Sequence, residues 1–247
     1  MTLSNKIVVV MGGGGLLGSE FVRACAEEGA RVVSADVKES SFLPEGVAFI
    51  KCDATSEEEV KALADKVREQ FGRADVVINA TYPKTANYGK KFEDGDLDEM
   101  LENTTMHIKT CMTVVRGFLP LLKGQKSGSL VFLGSIYGVA APRLEIYEGT
   151  NMTTPAEYAA AKGGTLSLVR YFAALLGSHN VRVNAVSPGG IMGNYPQSFI
   201  DAYSRRLFLG KGLLSPKHIS GAVVFLASDA SEMMTGQNLL IDGGWTL

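Results

Sequence analysis

Tyr158 and Lys162 stand four positions apart in the run Tyr158-Ala159-Ala160-Ala161-Lys162. On a helix that spacing puts both side chains on one face, so an ammonium can stand beside a phenol. A free phenol ionises near pH ~10, and bringing that to neutrality takes about 4 kcal/mol of preferential stabilisation of the phenolate. One unit charge at about 4 Å, in an effective dielectric of about 20, supplies energy of that order. With water excluded, such a pair can act as a general acid or base near neutral pH. Any long helix produces Tyr-x-x-x-Lys by chance, so the elements around it decide whether it does chemistry.

The pair lies in a stretch that reads as a long helix. Thr154 can cap it, Pro155 suits its first turn, the alanines favour it and Gly177 can end it. At the other end of the chain, Ile7 to Val10 is a β-branched run, followed by Gly12 to Gly15 and then an amphipathic stretch from Leu16 to Glu28. Strand, glycine turn and helix make a unit that binds a dinucleotide pyrophosphate, because the backbone can approach the phosphates and the helix start offers free N–H groups. A second strand, Arg31 to Asp36, ends in an acid eighteen positions after Gly18. An acid there can bond the ribose hydroxyls and would repel a 2′-phosphate, which favours NAD over NADP.

Further strands are expected at 47–51, closed by Cys52-Asp53-Ala54, and at 75–79, 128–133, 181–186 and 239–241. Helices are expected from a Thr55/Glu58 capping box to Phe71, from Asp96 to about Leu122 with a break at Pro120, and from about Pro216 to Ala227. Alternating strands and helices imply a single-domain, Rossmann-like, doubly wound parallel sheet of about seven strands, with helices on both faces over residues 1–247. Segments 136–153 and 191–214 read as irregular, the second as mobile, and both leave the carboxyl side of the sheet, so they are expected to form a lid over a substrate.

Bulk composition narrows the partners. With 46% hydrophobic residues, 20% charged residues and a formal net charge of −2, the chain lacks the positive excess that nucleic-acid or membrane-surface binding draws on. Three scattered cysteines suggest neither a disulfide framework nor a metal site. The first apolar run is too short for a signal peptide or a membrane span, so a cytoplasmic protein acting on a small molecule is expected.

Taken in order, these pieces resemble the short-chain dehydrogenase/reductase family over essentially the whole chain. Ser135, with Gly138 three positions on, is similar to the family's catalytic serine, and Tyr158 with Lys162 to its Tyr-x-x-x-Lys pair. The resemblance implies NAD contacts at Gly12, Gly15, Leu16, Leu17, Gly18, Asp36, Asp53, Ala54, Asn79, Ala80, Tyr158, Lys162, Pro188, Gly189 and Ile191. Thr81 stands where the family's Asn-Ala-Gly stretch has glycine, and the ending Asp242-Gly243-Gly244-Trp245 is also similar. The implied reaction is oxidation of a secondary alcohol, or its reverse. Tyr158 would move the proton, Ser135 would hold the reacting oxygen, and Lys162 would lower the phenol's pKa and hold the nicotinamide ribose.

There are departures. Leu16 replaces a glycine, and the frame Gly12-x-x-Gly15-x-x-Gly18 is closer to the branch containing sugar-nucleotide epimerases and dehydratases, which gives an alternative reading by transient oxidation. A non-catalytic NAD-binding module is a third reading, opposed by the intact Ser135, Tyr158 and Lys162. The family's helical asparagine falls at His107, with Asn103 one turn away as the other candidate. Twenty-three positions separate Ser135 from Tyr158, and the insert Tyr147 to Met152 weakly resembles oxidoreductases of bacterial flagellin and surface-sugar modification. The lid segments carry Arg143, Tyr147, Glu148, Asn151, Asn194, Tyr195, Arg205, Arg206 and Lys211, so a polar, sugar-like or anionic substrate is expected, with Ser135, Arg143 and Tyr147 touching it. Leu166, Val169, Phe172, Ala173 and Leu176 suggest surplus apolar surface on the Tyr158 helix and a homotetramer.

Overall fold

Short β-branched runs build the sheet in the computed structural model, which describes residues 2–40 and 43–247. The strands are β1 (Ile7–Met11), β2 (Arg31–Asp36), β3 (Ala48–Lys51), β4 (Val76–Asn79), β5 (Gly128–Leu133), β6 (Val181–Pro188) and β7 (Asn238–Ile241). They pair in parallel in the order β3-β2-β1-β4-β5-β6-β7, with Val9 opposite Val33 on one side and Val77 on the other. Parallel neighbours need long crossovers, which are supplied by α1 (Leu16–Glu27), α2 (Glu57–Phe71), α3 (Leu97–Gln125), α4 (Ala156–Leu176) and α6 (Lys217–Ala227).

The period of two along β1 sorts its side chains into two cores. Ile7, Val9 and Met11 pack with Val60, Phe118 and Leu166 from α2, α3 and α4. Val8 and Val10 pack with Phe21 and Val22 of α1 and with Ile219 and Val223 of α6. A strand covered on both faces is apolar throughout, which explains the unbroken Val-rich runs. Among the described residues no helix is long and apolar enough to cross a membrane.

Four local expectations need correction. Helix α2 is capped by Ser56, which accepts from the Glu59 N–H at 3.2 Å, while Thr55 is turned back onto Asp53. Helix α3 runs through Pro120 to Gln125. Phe118 and Leu122 on either side are completely buried. Burying two such side chains, at about 1.5–3 kcal/mol each, outweighs the roughly 3 kcal/mol cost of an internal proline. Segment 191–214 is ordered by a further helix, α5 (Gln197–Ser204), whose Phe199 and Tyr203 join a third apolar cluster with Ile136, Ile146 and Trp245. Finally, Leu166, Val169, Phe172, Ala173 and Leu176 are already buried within the chain and leave no surplus surface.

Candidate active site

The sheet reverses its winding at β1, and the segments leaving the carboxyl ends of β1 and β4 meet there. Gly12 has φ +77°, and a Cβ on it would come within 2.9 Å of the Ala80 carbonyl; a Cβ on Gly18 would lie 1.9 Å from the Gly12 oxygen. The glycines therefore let the turn fold under the start of α1 and against β4. Helix α1 starts at Gly15 with no side-chain cap, and Leu16, Leu17 and Gly18, whose N–H groups fall in the unpaired first turn, all line one cleft of about 1100 Å³. Asp36, at the end of β2, accepts from the Gly14 N–H at 3.0 Å and from the Lys38 N–H at 3.3 Å, which fixes its carboxylate beside the turn. Asp53 and Ala54 line the same cleft, and one oxygen of Asp53 is taken by the Thr55 N–H and hydroxyl. A glycine cradle, free N–H groups and an acid beyond them fit a dinucleotide, with its pyrophosphate on the turn and its adenosine ribose toward Asp36.

Asn79 differs from expectation. Its buried carboxamide oxygen accepts from the Thr81 N–H and hydroxyl, so it shapes the turn and leaves the cleft lining to Ala80 and Thr81. The Thr81 hydroxyl thus has a partner where the family has glycine.

The catalytic candidates converge at the carboxyl end of β5. Ser135 is buried, and its hydroxyl accepts from the Tyr137 N–H at 3.2 Å, capping a one-turn helix. A Cβ on Gly138 in that turn would lie 2.9 Å from the Lys162 carbonyl, so the glycine lets α4 come close enough to bring Tyr158 and Lys162 to Ser135. Lys162 is 4% exposed; its ammonium donates to the Leu133 carbonyl at 2.7 Å and lies 5.7 Å from the centre of the Tyr158 ring. Burial pulls its pKa down to about 8. Burial also pushes the Tyr158 phenol up, opposed by a hydrogen bond from Ser135. The phenol is thus held protonated in the chain alone, and Lys162 does not lower it as expected.

The two candidates for the helical asparagine differ in their partners. Asn103 is occupied: its oxygen accepts from the Thr85 N–H at 2.8 Å and its nitrogen donates to the Glu99 carbonyl at 2.9 Å. His107 is buried with Nε2 unpartnered, its ring centre 4.9 Å from that of Tyr82. Its pKa falls to about 4 through burial and the nearby Lys162 charge.

The two lid segments meet. Tyr147 stacks on Phe199 with centroids 5.2 Å apart, and Arg206 pairs with Glu145 at 3.0 Å. Of the polar residues expected to face inward, only Tyr147 and Tyr195 line the cleft. Arg143 lies 5.4 Å over the Trp245 ring and borders a separate cavity of about 380 Å³. It does not line the cleft, whose wall here is formed by Phe199 and Tyr203 of α5. Pro188, Gly189 and Ile191 border the cleft from β6. A third wall, not foreseen, is the loop after β4, where Tyr82, Pro83, Tyr88 and Gly89 line the cleft. The signal that could have found it is Tyr82, two positions after Ala80, with Tyr88 six further on.

Known proteins resemble the chain along almost its whole length. A family model described as enoyl-(acyl carrier protein) reductase matches residues 16–246. The chain is 30% identical, over 99% of its length and all of the relative, to the post-translational flagellin modification protein A of Campylobacter coli. It is 28% identical, over 98% of its length and 95% of the relative, to the 7alpha-hydroxysteroid dehydrogenase of Bacteroides fragilis. A crystal structure of a short chain dehydrogenase from Leptospira borgpetersenii with bound NAD+ superposes with a TM-score of 0.91 and 32% identity, covering 100% of this chain and 94% of the other.

Proposed function

The chain belongs to the short-chain dehydrogenase/reductase family, whose members are oxidoreductases acting on CH–OH groups, and we propose that it interconverts a secondary alcohol and a carbonyl with NAD. The observation that carries this reading is the convergence of Ser135, Tyr158 and Lys162 on one cleft with the glycine turn and Asp36. Bound NAD supplies the hydride acceptor. Gly12 to Gly18 hold its phosphates, Asp36 and Asp53 its adenosine end, and Lys162 its nicotinamide ribose. Asp36 places a negative charge where a 2′-phosphate would sit, which supports NAD over NADP.

At the reacting end, Ser135 hydrogen-bonds the substrate oxygen and Tyr158 exchanges a proton with it. A phenol kept protonated by burial is a proton donor at neutral pH, so carbonyl reduction is the direction the site favours there and oxidation gains as pH rises. His107, neutral at physiological pH because burial and the Lys162 charge lower its pKa to about 4, leaves Nε2 free to join a proton path behind Lys162. Tyr147, Thr154 and Ser135 offer hydroxyls to a polar, sugar-like substrate. The reading extends to a cytoplasmic homotetramer; three unpaired buried cysteines support the reduced compartment. The test is NADH formation or consumption with a panel of alcohols and carbonyls. Failure of every member, with NAD still bound, would overturn it.

A further inference from the structure

Seven of the eight tyrosines, all but Tyr171, line the cleft, and their arrangement around its substrate half is not random. Tyr137 meets Trp245 edge-on at 5.8 Å, Trp245 stacks on Tyr203 at 5.4 Å, Tyr203 meets Phe199 at 5.9 Å, and Phe199 stacks on Tyr147 at 5.2 Å. The Tyr147 and Tyr137 hydroxyls close the circuit at 3.2 Å, and Tyr195 adds a further ring edge-on to Phe199 at 5.2 Å. The Tyr147 hydroxyl also pairs with Thr154. Three hydroxyls sharing two bonds keep one donor and several lone pairs available to a ligand.

Among the described residues, no charged side chain lines this half of the cleft apart from Lys162. The charged side chains lining the cleft are Asp36, Lys38, Glu39 and Asp53, at and just beyond the carboxyl ends of β2 and β3, and Lys162, whose ammonium is engaged by Leu133. Arg206, the cation that ties the lid segments together, is spent on Glu145 at the surface. An anionic substituent placed among these rings would be desolvated with no cation in direct reach, since Arg143 lies over the Trp245 ring and does not line the cleft, and that is heavily penalised. Ring faces with a hydroxyl rim suit a ligand with one apolar face and equatorial hydroxyls.

Resting on the dehydrogenase reading for the fate of the reacting hydroxyl, we infer that the moiety held against the Tyr147, Tyr195 and Phe199 cluster is an uncharged, hydroxylated ring. Tyr147 and Thr154 select its hydroxyls, and the ring circuit excludes carboxylated and phosphorylated analogues.

The chain's single tryptophan is Trp245, which is part of the circuit, so its emission reads ligand entry without turnover. The NAD-loaded protein is titrated with myo-inositol and methyl glucoside, with glucuronate and glucose 6-phosphate, and with cyclohexanol. The neutral polyols are expected to shift the emission with affinities at least about tenfold above the anions and cyclohexanol, and Tyr147→Phe to weaken them by about tenfold while NAD affinity holds. Anions binding as tightly as the polyols, polyols binding equally to Tyr147→Phe, or no response to either polyol at tens of millimolar would each overturn the inference. NADH formation is followed in the same samples. Polyol binding with the expected selectivity but no redox change in either direction upholds the aromatic cage and counts against the dehydrogenase reading alone.

Discussion

Tyr158, half-buried at the cleft, and His107, buried, are both titratable, and desolvation drives them in opposite senses because one is charged when it loses a proton and the other when it gains one. For Tyr158 the consequence is catalytic. Tyr158→Phe removes the hydroxyl and keeps the ring, so turnover is expected to fall by about 10²–10⁴ while NAD binding, followed by fluorescence, is unchanged. In the wild type, kcat/KM for alcohol oxidation should climb with pH as the phenol ionises. For His107 the consequence is stability. The unfolded chain takes up a proton as pH falls through about 6.5, whereas the folded chain resists it until about 4. Stability is therefore complete above that window and is lost as pH falls through it, by an amount on the order of 3 kcal/mol. His107→Asn should flatten the denaturation midpoint between neutral and mildly acidic pH. An equally steep acid loss in the variant would remove His107 as its source.

At the scale of elements, the turn after β1 and the acid ending β2 act together, since Gly14 donates to Asp36 across the pair. Asp36→Ala removes both the ribose acceptor and the repulsion toward a 2′-phosphate. The NAD-to-NADP affinity ratio is expected to drop by at least about tenfold, measured by titration of both cofactors. Gly138→Ala tests the joint between the one-turn helix and α4. A methyl 2.9 Å from the Lys162 backbone forces the two apart, so about 1–3 kcal/mol of stability should be lost, with kcat lowered more than cofactor affinity. These elements were legible in the chain because each carries its own local signal: Val-rich runs for strands, glycines for the turn, four-residue spacing for the Tyr158 helix. What was not legible depends on packing from afar. Pro120 inside α3 is tolerated only because Phe118 and Leu122 are anchored in the core. Likewise, α5 is held by Trp245 and by the insert before α4, so its apolar stripe reads as a mobile loop until those partners are known. Asn79 was assigned from the family resemblance and Arg143 from residue type, and neither says which way a side chain turns.

At the scale of the whole molecule, the proposed homotetramer has to be argued from different residues than the sequence suggested. The apolar row Leu166, Val169, Phe172 and Leu176 faces the sheet. The outer surface of the same helical layer still carries Leu101 on α3 at 55% exposure and Tyr171 on α4 at 62%. Leu97 and Met112 continue the α3 surface, and Leu175 follows Tyr171 by four positions, one helical turn on. Large apolar side chains exposed along two adjacent helices suit a long subunit interface, and leaving them in water costs about 25 cal/mol per Å². A second copy of the chain is the partner that this layer can meet by two-fold symmetry, with α3 and α4 of each protomer packed against those of the other. Light scattering at micromolar concentration is expected to give a multiple of the chain mass, and the double substitution Leu101→Glu with Tyr171→Glu to lower it. The charges enter an exposed surface, so the variant's circular dichroism should match the wild type. A wild-type mass equal to one chain would end the oligomer proposal, and an unchanged assembly in the folded double variant would move the interface away from α3 and α4.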